Sequence, residues 1–200
     1  KGGFKVRTLK KKAISVMLIF SMMMAVFMPI TASATSREDL RDMIIFTIDG
    51  ADTKDIDDAI SLSKEDDCYK LGVHIADVSY YVKPKSALDN EAFDRGTSVY
   101  YADRVVPMLP KELSNGICSL NPDEDRLAFS CLMDISFDGK LLGYDFKKTV
   151  IRSRIKGVYS EINKILDNEE TEEIKEKYKD VRDTILLMQE LASILTSNKI

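Results

Sequence analysis

Apolar positions along the chain fall into runs of different period, and each run predicts an element. Met43–Ile48 is a short, nearly continuous apolar run, which reads as a buried strand. A second run, Ala59–Leu62, follows after an acidic gap, and Tyr69–Ala76 partly alternates as a strand does. Ser86-Ala-Leu-Asp89 has the form of a capping box, with Gly96 placed to end a short helix. Ser98–Tyr101 reads as a strand, and Pro107-Met-Leu-Pro110 must be extended or turned, because each proline disfavours helix before it. Arg126–Phe137 and Leu141–Ile151 flank Asp138-Gly139, a hairpin signal whose loop length Lys140 leaves open. Val158–Leu166 predicts a short helix. From Thr171 to about Leu195, Ile174, Tyr178, Val181, Ile185, Met188, Ala192 and Leu195 recur at steps of four and three, which predicts one long amphipathic helix. Strands first and helices last, without repeats, give an α+β class with a mixed or antiparallel sheet and packed helices.

Charge divides the chain in two. Residues 1–36 carry six of the 29 basic groups and no acid, so the rest holds 23 bases against 33 acids, a net charge of −10. A basic stretch, Lys5–Lys12, precedes the apolar run Ala13–Ile30, and Ala32-Ser33-Ala34 follows. That is the order of a secretory signal peptide cleaved after Ala34, with an uncleaved apolar anchor helix as the other reading. The expected division is therefore 1–34 as a signal-peptide-like or membrane-anchor segment and 37–200 as the folded domain. The acidity of the body gives no support to nucleic-acid binding by bulk charge. Three widely spaced cysteines and a single histidine, His74, exclude a Cys-x-x-Cys zinc site and a multi-histidine centre within the chain. His74 lies inside an apolar strand and reads as a packed, hydrogen-bonded residue.

The densest chemistry lies between the first two runs. Asp49, Asp52, Asp55, Asp57 and Asp58 fall within ten positions. So many fixed carboxylates repel one another and rise in pKa unless a cation neutralises them. A calcium loop fails here, since Ile60 stands where its glycine would fall and Asp66 where its last glutamate would. A solvated acidic loop and a divalent-metal site remain as the two readings. Carboxylates that clamp two ions about 3.5–4 Å apart are a common device for phosphodiester hydrolysis.

Several stretches in order carry a family resemblance. These are Thr47–Ala59, Gly72-Val-His-Ile-Ala-Asp-Val78, Arg95–Tyr101 and Val106–Pro122. Together they resemble the catalytic domain of the ribonuclease II / ribonuclease R family, the RNB domain, and lie nearer its ribonuclease R branch. The similarity runs from about Arg37 to the end of the chain. It implies a processive, hydrolytic 3′→5′ exoribonuclease that uses Mg²⁺ (or Mn²⁺), releases nucleoside 5′-monophosphates and acts on single-stranded RNA. It implies catalytic and metal-binding roles for Asp49, Asp55, Asp57 and Asp58, with Asp52 supporting. Asp57 would complete a second metal site or orient the attacking water. It also implies that Tyr100 contacts RNA and that Tyr159 stacks on its 3′-terminal bases, the bland alternative being that both are core-edge residues.

Arg152, Arg154 and Lys156 alternate, so in a strand they would share one face and could meet phosphates, Arg154 and Lys156 above all. The same charges would equally serve a solvated strand edge. The resemblance covers the first half of the family's domain, which predicts a truncated fragment of weak or no activity. The expected molecule is a monomer without an obligate protein partner. The family implies a cytoplasmic location, whereas the leader suggests export or membrane association. The other readings are an inactive RNA- or metal-binding remnant and an exported acidic metal-binding protein.

Overall fold

A computed structural model describes residues 37–198, so the leader, and with it the expected leader helix, lies outside the described residues. The strands are β1 (Glu38–Asp39), β2 (Ile45–Asp49), β3 (Asp58–Lys64), β4 (Tyr69–Ala76), β5 (Val99–Tyr100), β6 (Val105–Val106), β7 (Asp125–Ile135), β8 (Leu141–Arg152) and β9 (Lys156–Val158). The helices are α1 (Val78–Tyr81), α2 (Ala87–Arg95), α3 (Tyr159–Leu166), α4 (Glu172–Tyr178) and α5 (Arg182–Ser197). An irregular helical turn spans Glu112–Ile117.

Seven strands form one sheet in the order β1-β8-β7-β4-β3-β2-β9, and β5 and β6 form a separate small hairpin. Its inner pairs are antiparallel, whereas β1 with β8 and β2 with β9 are parallel. The two ends of this order belong together. β1 leads into β2 and β8 leads into β9, and Leu40 N–H to Val150 O (2.9 Å), Arg154 N–H to Ile45 O (2.7 Å) and Thr47 N–H to Ile155 O (3.3 Å) close the seam between them. The sheet thus curls until its edges meet, which removes most of the open strand edge. The seam needs glycine at 157, where a Cβ would stand 2.6 Å from Thr47 O.

One face of the sheet packs Ile45, Ala59, Ala76, Ala128 and Ile151 against Leu40, Ile56, Cys118 and Leu120. The other face is covered by the C-terminal helices. Ile162, Ile165, Ile174, Tyr178, Val181 and Ile185 gather on Phe46, and Leu191 packs among Leu62, Tyr69, Cys131 and Met133.

Most predicted elements are present, including the helix capped by Ser86, whose Oγ accepts the Asp89 N–H at 3.2 Å, and the Asp138-Gly139 turn. The long C-terminal helix is a correction, because the chain breaks after Tyr178 and restarts at Arg182. Glu170 and Arg182 form a two-pronged ion pair, with contacts of 2.6 to 3.1 Å. In one continuous helix, residues twelve apart would be separated by roughly 18 Å along the axis. The break brings them together while Tyr178, Val181 and Ile185 stay on the same buried surface. The expected strand through Arg152, Arg154 and Lys156 is also divided, since β8 ends at Arg152 and β9 begins at Lys156. Among the described residues no helix is long and apolar enough to cross a membrane.

Candidate active site

β2 stops at Asp49 and β3 starts at Asp58, and the two are antiparallel neighbours. Their adjacent ends therefore bring the first and last aspartates of the acidic segment together, with residues 50–57 folded over them. This loop is tied down on two sides. Lys156 Nζ donates to Ala51 O at 3.0 Å and Thr53 O at 2.5 Å. On the other side Ser119 Oγ donates to Lys54 O at 2.9 Å and accepts the Ile56 N–H at 3.1 Å, and Leu120 N–H reaches Ile56 O at 2.8 Å. The Ile56 side chain is buried beneath the loop and anchors it to the core.

The carboxylates show the strain expected of crowded like charge. Asp57 is pushed up to about 6, first by desolvation at the crowded strand ends and then by repulsion from Asp58, Asp55 and Asp49. Desolvation also raises Asp58. Asp49 is raised by burial and by Asp58, against the opposing charge of Lys156. Asp57 and Asp58 are exposed to solvent, so the group is not sealed in a cavity. Asp52 is exposed at the loop's outer side.

Two aromatics border the group. Tyr100, on the β5–β6 hairpin and 64 % exposed, donates its hydroxyl to Asp55 Oδ2 at 2.9 Å. That bond and the charge of Asp55 raise the Tyr100 phenol. Tyr159 opens α3 and is 49 % exposed. It follows Val158, the ladder partner of Asp49, and its phenol is raised by partial burial and by the charges of Asp49 and Asp58. Between the acidic loop and the hairpin runs an open groove of about 520 Å³, lined also by Pro107, Lys111, Ser114 and Asn115.

The two basic residues expected at phosphates are engaged elsewhere. Arg154 donates to the carbonyls of Arg41, Asp42 and Met43 at 3.1 to 3.4 Å, and Lys156 holds the loop. Arg152 is paired with Asp125 at 2.7 Å. His74 is fully buried, between Ser61 Oγ (3.0 Å) and Ser130 Oγ (2.7 Å). Sequence reasoning passed over Ser119 and Thr47. Ser119 lies inside the Gly116–Pro122 stretch, and Thr47 is the one polar residue within the first apolar run, which was the available signal.

The chemistry of the group fits a hard divalent cation. Its donors are carboxylate oxygens only, the set such ions prefer. Two buried side-chain oxygens lack a hydrogen-bond partner among the described residues, Thr47 Oγ1 and Asp49 Oδ2, and both belong to the end of β2. The raised carboxylates would be relieved by positive charge. Among the described residues, no three acids, histidines or cysteines are gathered tightly enough to hold an ion as they stand. The acids thus lie at neighbouring strand ends and on the loop between them without forming a closed cage.

Residues 37–200 match the RNB domain family. The chain is 49 % identical over 160 residues to Ribonuclease R 1 of Lactococcus lactis, which covers 80 % of this chain and 19 % of that protein. It is 54 % identical over 160 residues to Ribonuclease R of Thermotoga maritima, covering 80 % of this chain and 22 % of the relative. The chain thus spans about a fifth of the length of these curated relatives. Among solved structures, Mycoplasma genitalium RNase R in complex with ribose-methylated single-stranded RNA is similar with a TM-score of 0.67 and 30 % identity, over 80 % of this chain and 27 % of that one.

Proposed function

The chain belongs to the RNB domain family, and on that premise we propose that it carries part of the active site of a divalent-metal-dependent, hydrolytic 3′→5′ exoribonuclease. The observation that supports this most is the placing of Asp49, Asp57 and Asp58 at the adjacent ends of β2 and β3, with Asp55 in the loop between them and those three held above the usual carboxylate range. These four would hold Mg²⁺ or Mn²⁺. Bound there, the metal would polarise the scissile phosphate and lower the pKa of the attacking water. Tyr159 offers an exposed ring beside the acids on which a terminal base can stack, an interaction worth about 1–3 kcal/mol per base and indifferent to sequence. Tyr100 orients Asp55 through its hydroxyl and lines the groove. The similarity to a solved complex with single-stranded RNA supports RNA as the polymer.

Two measurements on the purified chain test the reading. Mn²⁺ or Mg²⁺ should raise the thermal midpoint of the wild type and leave Asp49→Asn unchanged. Single-stranded RNA labelled at its 5′ end should lose mononucleotides from the 3′ end, slowly, and Asp57→Asn should abolish this. Metal binding without cleavage would select an inactive binding remnant. No response to either metal would sink the proposal.

A further inference from the structure

Lys156 joins two parts of the site, the end of β2 and the loop that follows it. Its backbone is the ladder partner of Thr47 in β2, two residues before Asp49. Its side chain reaches over the loop that β2 leads into and donates to Ala51 O and Thr53 O. One ammonium therefore spans the strand end that carries Asp49 and the turn that leads to Asp55. The turn has one internal backbone bond of its own, Thr53 N–H to Gly50 O at 3.2 Å. Loss of the ammonium would leave two carbonyls facing a recess already rich in negative charge, a poor place for unpaired acceptors. Ser119 makes the matching contacts farther along the loop, at Lys54 and Ile56, so residues 51–56 are fixed from both sides.

We propose that Lys156 is a positioning residue, whose clip on Ala51 and Thr53 sets the spacing of Asp49 and Asp55 for metal binding, and that it is not a phosphate contact. The link to metal rests on the functional reading above, while the clip itself does not. The alternatives differ in sign. If Lys156 were only a neighbouring positive charge, its removal would strengthen cation binding by relieving repulsion. If it positions the loop, its removal weakens cation binding although a positive charge has gone. If it contacted a phosphate, its loss would reduce the salt slope of single-stranded RNA binding by about 0.7.

The experiment compares the full chain with Lys156→Met, which keeps an apolar stem, and Lys156→Arg, which keeps the charge and the donors. Hydrogen exchange reads the loop, Mn²⁺ titration reads the acids, and RNA binding at several salt concentrations reads phosphate contact. In Lys156→Met, amides of residues 51–56 should exchange at least tenfold faster and the Mn²⁺ dissociation constant should rise about tenfold, with an unchanged salt slope. Lys156→Arg should restore both toward wild type. Lys156→Gln, a neutral donor, serves in place of the methionine variant should that fail to fold, and should show the same changes at smaller size. Unchanged exchange, tighter Mn²⁺ binding or a reduced salt slope would overturn the proposal. If wild type binds no Mn²⁺, the metal reading falls, and the exchange comparison still decides the clip.

Discussion

At the scale of single residues, two buried or crowded groups oppose each other across the acid range. His74 is held down to about 4 by burial, against 6.5 in an ordinary setting. The unfolded chain takes up that proton first as pH falls, so stability is lost between about 6.5 and 4, by up to roughly 3 kcal/mol. Asp57 has the opposite sign. Its folded pKa, raised to about 6, means that stability present below 3.8 is lost as pH rises through 6. Metal-free Asp57→Asn should therefore melt higher than wild type at pH 7, with the gain gone at pH 4. His74→Gln should flatten the acid loss between pH 6.5 and 4, a difference read from thermal melts of both proteins across that range. A wild-type melt that does not change between those pH values relative to His74→Gln would contradict the burial argument. The aspartates were legible in the sequence because like charge at that density calls for a reason. Lys156 and Arg154 were legible only as charges. Which carbonyls they would meet depended on a seam between segments more than a hundred residues apart.

At the scale of elements, local signals carried far. The apolar runs at Met43, Ala59 and Tyr69, the capping box at Ser86 and the Asp-Gly turn each correspond to an observed element, since each rests on contacts close in sequence. Closure of the sheet was not legible. β1 and β9 are two and three residues long, too short for any periodicity, and they exist because long-range partners hold them. The helix break was hidden for a related reason, as the apolar period continues through it and only the Glu170–Arg182 pair reveals the turn. The closure makes a testable demand on Gly157. A methyl group there would press on the Thr47 carbonyl at 2.6 Å, and backbone cannot yield as a flexible side chain does. Overpacking of this kind costs about 1–3 kcal/mol. Gly157→Ala should lower the thermal midpoint by roughly 2–12 °C, at about 2–4 °C per kcal/mol for a domain of this size. Because Thr47 lies next to the acid-bearing strand end, the same variant should also weaken Mn²⁺ binding. A midpoint within a degree of wild type would show that the seam opens without cost.

At the scale of the whole molecule, charge and site point in different directions, and the conflict limits how the proposed binding of RNA would work. The body from Arg37 onward carries a net charge of −10, and its site is built from acids. Several basic side chains near the site are committed: Lys156 and Arg154 to backbone carbonyls, and Arg152 and Arg41 to Asp125. Lys54, within the acidic loop, and Lys111 both line the groove. Affinity drawn from phosphates scales with the number neutralised, each adding about 0.7 to the salt slope for single strands. A groove with one or two such contacts should therefore give a slope no steeper than about −1.5. Stacking on Tyr159, which releases no counterions, should supply much of the remaining affinity. Fluorescence anisotropy of a short single-stranded RNA from 50 to 200 mM salt, with divalent metal held constant, measures the slope directly. Tyr159→Ala should cost about 1–3 kcal/mol of binding without changing that slope, whereas Lys111→Ala should reduce the slope by about 0.7. A wild-type slope steeper than about −3 would mean that several more cations reach the phosphates than the groove presents, and would place the principal RNA surface outside it.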